Sequence, residues 1–246
     1  NIGLILGLGA CIKPIRVISR VVRRELPILI AVTGLSLWIL SNLMLSRLDA
    51  FLLLGLFFIT MGYSVWEGVR NPGDPLTAEI ETELGGVAQA PNTAAALLQL
   101  LGGLAVLLLS SHILVWGAVR LATALGISEL IIGLTIVALG TSLPELASTL
   151  AAIRKGEDDL AVGNVVGSNL FNTLAVIGVA GSIHPLPLSA ELLHRDAMVM
   201  SGQTLLLFFF CMGFRGPGRI NRLEGVLLLL TYSAYLFWIF RENFAF

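Results

Sequence analysis

Glu145 lies in GISELIIGLTIVALGTSLPELASTLAAIRKG, Gly126 to Gly156, an apolar run longer than the about 20 residues that cross a bilayer. A carboxylate at that depth costs about 2.5 kcal/mol or more on insertion scales, so some favourable interaction must offset it. Its neighbours are two hydroxyls and a helix breaker: Thr141 and Ser142, with Gly140 before them and Pro144 after. Proline removes a backbone donor and clashes with the preceding turn, which frees carbonyl oxygens at that level. A carboxylate, two hydroxyls and freed carbonyls are hard oxygen donors, and that chemistry suits Ca2+ or Na+.

Helical spacing gathers the same residues. Thr135, Ala138, Thr141, Ser142, Glu145, Ser148 and Thr149 recur at three- and four-residue intervals, giving one narrow stripe of polar or small side chains. Hydroxyls so spaced also serve to hydrogen-bond neighbouring helices. The ionisable residue among them turns the stripe into a candidate ion site. The next apolar segment, GNVVGSNLFNTLAVIG, spaces Asn164, Ser168 and Asn172 by four with Asn169 adjacent, so Ser168 and Asn172 are expected to coordinate from the facing helix. Gly163 and Gly167 allow close backbone approach there, which packing alone explains equally well.

The elements that must position these groups are membrane helices. Of 246 residues 56% are hydrophobic and 13% charged, and the mean hydropathy is +0.90, with apolar runs divided by short polar stretches. That is the composition of an all-α polytopic membrane protein whose partner is the lipid bilayer. A net charge of -1 offers no basic face for nucleic acid. Cys11 and Cys211 show neither metal-ligand spacing nor a disulfide framework. His112, His184 and His194 have no visible acid or nucleophile partner, so the chain does not read as an enzyme.

Hydropathy predicts eight spans or part-spans, near 1–12, 27–45, 48–66, 96–119, 127–153, 161–183, 196–213 and 223–240. The first is too short to cross alone and reads as the tail of a helix begun upstream. With loops on alternating sides, one side holds eleven Lys and Arg and the other four, which places the richer set in the cytoplasm and the C-terminus outside. Trp66, Trp116 and Trp238 fall near span ends, as an interfacial belt requires. The organisation is residues 1–70 with three spans, an acidic cytoplasmic linker over 71–95 whose TAEIETEL core predicts a short helix, and residues 96–246 with five spans.

The chain also repeats itself. Shifted by 171 residues, NIGLILGLGACIKPI falls on NTLAVIGVAGSIHPL, matching Asn1 with Asn172, Gly7 with Gly178 and Pro14 with Pro185. After a four-residue insertion around Gly216, Arg47, Leu48 and Asp49 meet Arg222, Leu223 and Glu224. The shift spans five predicted helices, an odd number, so equivalent loops must lie on opposite sides. Charge agrees, since Lys13 to Arg24 holds five basic residues and His184 to Arg195 one. Inverted repeats of this kind build secondary transporters, with ion sites near the midplane at interrupted helices.

At GLTIVALGTSLPEL and GNVVGSNLFN the sequence resembles the calcium/cation antiporter superfamily, the sodium/calcium exchangers, and most of all its compact prokaryotic members. The two motifs resemble that family's second repeat and NIGLILGLGACIKP the end of its first. The resemblance implies a ten-helix fold of two inverted five-helix halves in a prokaryotic inner membrane, exchanging Ca2+ for Na+ by alternating access, without a cofactor. It carries ligand roles to the Ala138 carbonyl, Thr141, Ser142 and Glu145 on the broken helix and to Ser168 and Asn172 on the next, with Asn1 surviving from the first repeat's motifs. The family's other glutamate helix would fall upstream of Asn1, so the chain is expected to be a fragment that alone binds ions poorly and does not transport. Where some exchangers carry Asp, position 172 is Asn, which cannot take up a proton. Three rival readings stand beside Na+ coupling: Ca2+/H+ exchange with Glu145 as the proton carrier, a cation channel, and a non-transporting membrane scaffold.

Overall fold

In the computed structural model, residues 1–70, 75, 76, 78–80, 82, 93–127, 132–213 and 218–244 are described. The apolar runs form helices joined by short strands. In chain order these are α1 (Ile2–Ile12, opening in a π turn), β1 (Ile15–Val17), α2 (Arg20–Leu40), β2 (Met44–Leu45), α3 (Arg47–Arg70) and α4 (Thr93–Ala124). Then come α5 (Thr135–Thr141), α6 (Leu143–Lys155), α7 (Asp158–Ile183), β3 (Leu186–Pro187), α8 (Ala197–Met212), β4 (Gly218–Ile220) and α9 (Arg222–Phe244).

Four of these helices, α3, α4, α7 and α9, are long and apolar enough to cross a bilayer, and α5 with α6 makes a fifth if the bent pair is one span. The eight expected spans are therefore reduced by that test. Helix α1 is too short, as expected, α8 has 16 residues, and α2 begins at Arg20, seven residues before the expected start, taking Arg23, Arg24 and Glu25 into its first turns. Ser19 makes that early start possible, because its hydroxyl caps the helix by accepting from the Val22 N–H at 3.1 Å. Of the linker, residues 78–80 and 82 are helical, in the stretch where a short helix is predicted; Thr77, Glu81 and residues 83–92 lie outside the described residues, as does the insertion around Gly216.

The core runs through α1, α2, α7, α8 and α9, where Ile5, Leu6, Leu26, Leu174, Leu207 and Leu228 are fully buried. Helix α4 stands at the periphery of the described residues, with most of its largely apolar surface exposed.

Two antiparallel pairings tie the loops together. β1 pairs with β4, Ile15 opposite Ile220, and β2 pairs with β3, Leu45 opposite Leu186. Both partners in the first pair come from the Arg-rich loops and both in the second from the other set. Under the repeat shift β1 falls on β3 and β2 on β4, so each pairing maps onto the other. Helix packing obeys the same relation. A Cβ on Gly225 of α9 would lie 3.0 Å from the Gly7 carbonyl of α1, and one on Gly178 of α7 would lie 3.0 Å from the Ala50 carbonyl of α3. Glycine at these crossings lets backbone meet backbone.

Candidate functional site

Helices α5 and α6 meet at a 46° bend. Leu143 and Pro144 open α6, where a missing N–H costs nothing, and Ser142 forms the joint with φ -91° and ψ 0°. Glu145 falls in the first turn of α6, so its carboxylate also sits at the positive end of that half-helix. Gly140 contributes less to the bend than to packing: a Cβ there would stand 1.9 Å from Cγ2 of Val115, so its absence is what lets α4 close against the break.

Three elements converge on the bend. The Asn1 side chain donates to the Ser168 hydroxyl at 2.8 Å and accepts from the Ser142 hydroxyl at 2.7 Å, which links the start of α1 to both α7 and the break. Ser168 in turn donates to Oε1 of Glu145 at 3.4 Å. The Ala138 carbonyl accepts from Thr141 at 3.0 Å and from Ser142 at 3.3 Å. Asn1, Ser142, Glu145 and Ser168 thus form one bonded cluster, with Thr141 and the Ala138 carbonyl attached through Ser142. Oε2 of Glu145 is buried and has no partner among the described residues.

Asn172 is not brought into this cluster. The expected face-sharing of Asn164, Ser168 and Asn172 holds for the first two, but α7 changes to a π turn at Phe171–Val176. Asn172, at the start of that turn, is exposed, whereas its counterpart under the repeat shift, Asn1, sits in the cluster.

The facing helix supplies contacts that spacing alone does not reveal. The Asn164 amide nitrogen lies within 3.4 Å of the Glu145 carbonyl, 3.0 Å of the Ser148 hydroxyl and 2.8 Å of the Thr149 hydroxyl, clasping α6 just past the break. At the start of α7, Asp158 accepts from the Arg16 N–H at 3.1 Å and Asp159 from the Ile18 and Ser19 N–H groups, each at 2.9 Å, so the loop bearing β1 is bonded to α7. The adjacent acids in RKGEDD are the only signal for this, and they read equally well as a charged first turn.

Among the described residues no three His, Cys, Asp or Glu side chains gather as a metal cluster. The donor set at the break is one carboxylate and neutral oxygens. It fits alkali and alkaline-earth ions rather than transition metals.

Residues 95–241 match the family described as Sodium/calcium exchanger protein. The chain is 45% identical over 243 residues to the putative antiporter CaxA of Alkalimonas amylolytica, spanning 98% of this chain and 75% of that protein. It is 37% identical to the inner membrane protein YrbG of Escherichia coli K12, over 97% of this chain and 74% of that one. The solved sodium-calcium exchanger NCX_Mj superposes with a TM-score of 0.75 at 30% identity, covering 95% of this chain and 70% of that chain. With a family match over more than half its length and relatives of this identity, the chain belongs to the sodium/calcium exchanger family of membrane antiporters.

Proposed function

We propose that the chain is the greater part of a secondary antiporter that exchanges Ca2+ for Na+ across a prokaryotic inner membrane by alternating access. One observation carries the reading: at a bend in a membrane helix, Glu145 keeps a buried, unpartnered carboxylate oxygen while Ser142, Ser168 and Asn1 bond one another beside it. A carboxylate with one buried oxygen left unpartnered is costly at such a place, and a cation taking oxygen ligands removes that cost. Ca2+ and Na+ compete for the same oxygens, so either one neutralises the site and permits the inward–outward switch, whereas the empty carrier seldom crosses. Glu145 provides the charge, and Thr141, Ser142, Ser168, Asn1 and the Ala138 carbonyl provide neutral oxygens, while Asn172 lies outside this set. The arrangement proposed is two inverted five-helix halves. The paired hairpins and the glycine crossings that interchange under the repeat shift support that inversion.

The test uses the intact protein in sealed vesicles. Glu145→Gln removes the charge at nearly constant shape and is expected to abolish Ca2+ uptake with normal expression; retained exchange removes Glu145 from the site. Uptake driven by an imposed Na+ gradient and not by a pH gradient separates Na+ coupling from Ca2+/H+ exchange.

A further inference from the structure

Helix α7 carries Asn164 and Ser168 into the site, yet its own start is incompletely capped. Its N-cap residue, Glu157, makes no side-chain cap bond, and the first N–H groups of a helix have no partner within it. One of those orphans, the N–H of Leu160, donates at 2.7 Å to the carboxylate of Glu79, a residue 81 positions earlier in the acidic linker. Leu76 of the same linker rests on α7 as well. Its Cδ1 would be 3.6 Å from a Cβ on Gly163, so the missing side chain makes the notch that Leu76 covers, one residue before Asn164. Leu76 also packs against the main core. The linker therefore holds α7 at two points, a polar one on its first turn and an apolar one on its second.

The surroundings of Glu79 make the polar point sensitive to protonation. It shares a cavity of about 470 Å3 with Asp158 and Asp159 of α7 and with Lys13 and Arg16 of the α1–α2 loop. Lys13 is engaged by Asp158 at 3.4 Å, and Arg16 meets the acids through its backbone N–H. Glu79 thus faces two carboxylates whose own donors come from elsewhere. Burial is the main influence raising its carboxyl above the ordinary range. The Leu160 N–H bond opposes this, and the charges of Asp159 and Asp158 add to the rise.

We propose that the acidic linker is a proton-sensitive latch on the cytoplasmic end of α7, with Glu79 and Leu76 as its two points of attachment, setting how readily α7 moves during exchange. This rests on the exchange reading only for its effect on transport. The direction comes from linkage: a carboxyl whose pKa is higher docked than free binds its proton more tightly when docked. Acidification therefore tightens the latch, and rising pH through the raised value loosens it. A neutral side chain that still accepts from Leu160 N–H holds at every pH.

The experiment measures amide hydrogen exchange at Leu160 in the full-length protein, corrected for the intrinsic pH dependence, alongside Ca2+ uptake in vesicles. Glu79→Ala and Leu76→Ala are expected to speed exchange of that amide about tenfold at mildly acidic pH, where the wild-type latch is tightest, and by progressively less as pH rises. The wild-type protein should lose protection as pH rises, and Glu79→Gln should keep it throughout. Equal protection in all variants, or Glu79→Gln exposing the amide as fully as Glu79→Ala, overturns the latch. Altered uptake rates in step with protection support its control of transport. Unchanged uptake with protection lost overturns that control and leaves the exchange reading standing.

Discussion

Asn164 sets one amide group against three acceptors on α6, and Thr149, the best placed of them, is fully buried. Removing the donor leaves that hydroxyl without its partner on α7, a loss of about 1–3 kcal/mol for a buried polar group. Asn164→Ala is therefore expected to lower the thermal midpoint and, by freeing α6 just past the bend, to raise the apparent KM for Ca2+ more than it lowers the maximal rate. Asn164→Asp should be worse on both counts, since it donates nothing and brings a second negative charge toward Glu145. Uptake kinetics and melting of the purified protein check both. Asn164 is legible in the sequence as a polar face residue but not as a clasp, because spacing by four says which side chains align along one helix and nothing of what faces them. Glu145, Ser142 and Ser168 are legible for the opposite reason: charge and hydroxyls in an apolar run have few uses. Asn172 shows where that logic stops: it shares the spacing by four, yet it is exposed and outside the cluster.

Helix starts show the same asymmetry between what a sequence announces and what it hides. Ser46 and Asp49 cap α3 reciprocally, with the Asp49 carboxylate accepting from the Ser46 N–H at 3.0 Å and the Ser46 hydroxyl from the Asp49 N–H at 3.2 Å. Asn221 and Glu224 do the same for α9 at 2.7 and 3.0 Å, in the positions the repeat shift assigns. Both pairs are polar–x–x–acid motifs ahead of an apolar run, and so readable in advance. Helix α7 lacks such a residue, and its cap from Glu79 is invisible until the linker is seen docked. Ser46→Ala and Asn221→Ala are each expected to lower stability by about 1 kcal/mol, by similar amounts, and additively in the double variant because the sites do not touch. A loss at one site only, in denaturant or thermal unfolding, breaks the equivalence of the two helices.

The fold places its loops in two groups. β1, β4, Asp158, Asp159 and Glu79 gather at one end, joined by pairing and by carboxylate–backbone bonds, while β2 and β3 pair at the other. The sequence anticipates that division from Lys and Arg placement alone, because translocation disfavours basic loops whatever the helices later do. It does not anticipate which loops touch, since pairing depends on crossing geometry that composition does not encode. If the halves are inverted, residues paired across β1 and β4 must be reached from one side and those across β2 and β3 from the other, and the basic residues assign the first side to the cytoplasm. Single cysteines at Arg16, Arg219, Met44 and Leu186, all exposed, test this in a background with Cys11→Ser and Cys211→Ala. A membrane-impermeant maleimide applied to intact cells is expected to label the Met44→Cys and Leu186→Cys proteins, and to reach the Arg16→Cys and Arg219→Cys proteins only after permeabilisation. Labelling of all four from one side would exclude inversion, because five intervening crossings cannot return equivalent loops to the same face. Reversed labelling, with the Arg16 and Arg219 sites outside, would keep the inversion and overturn the orientation drawn from the basic residues.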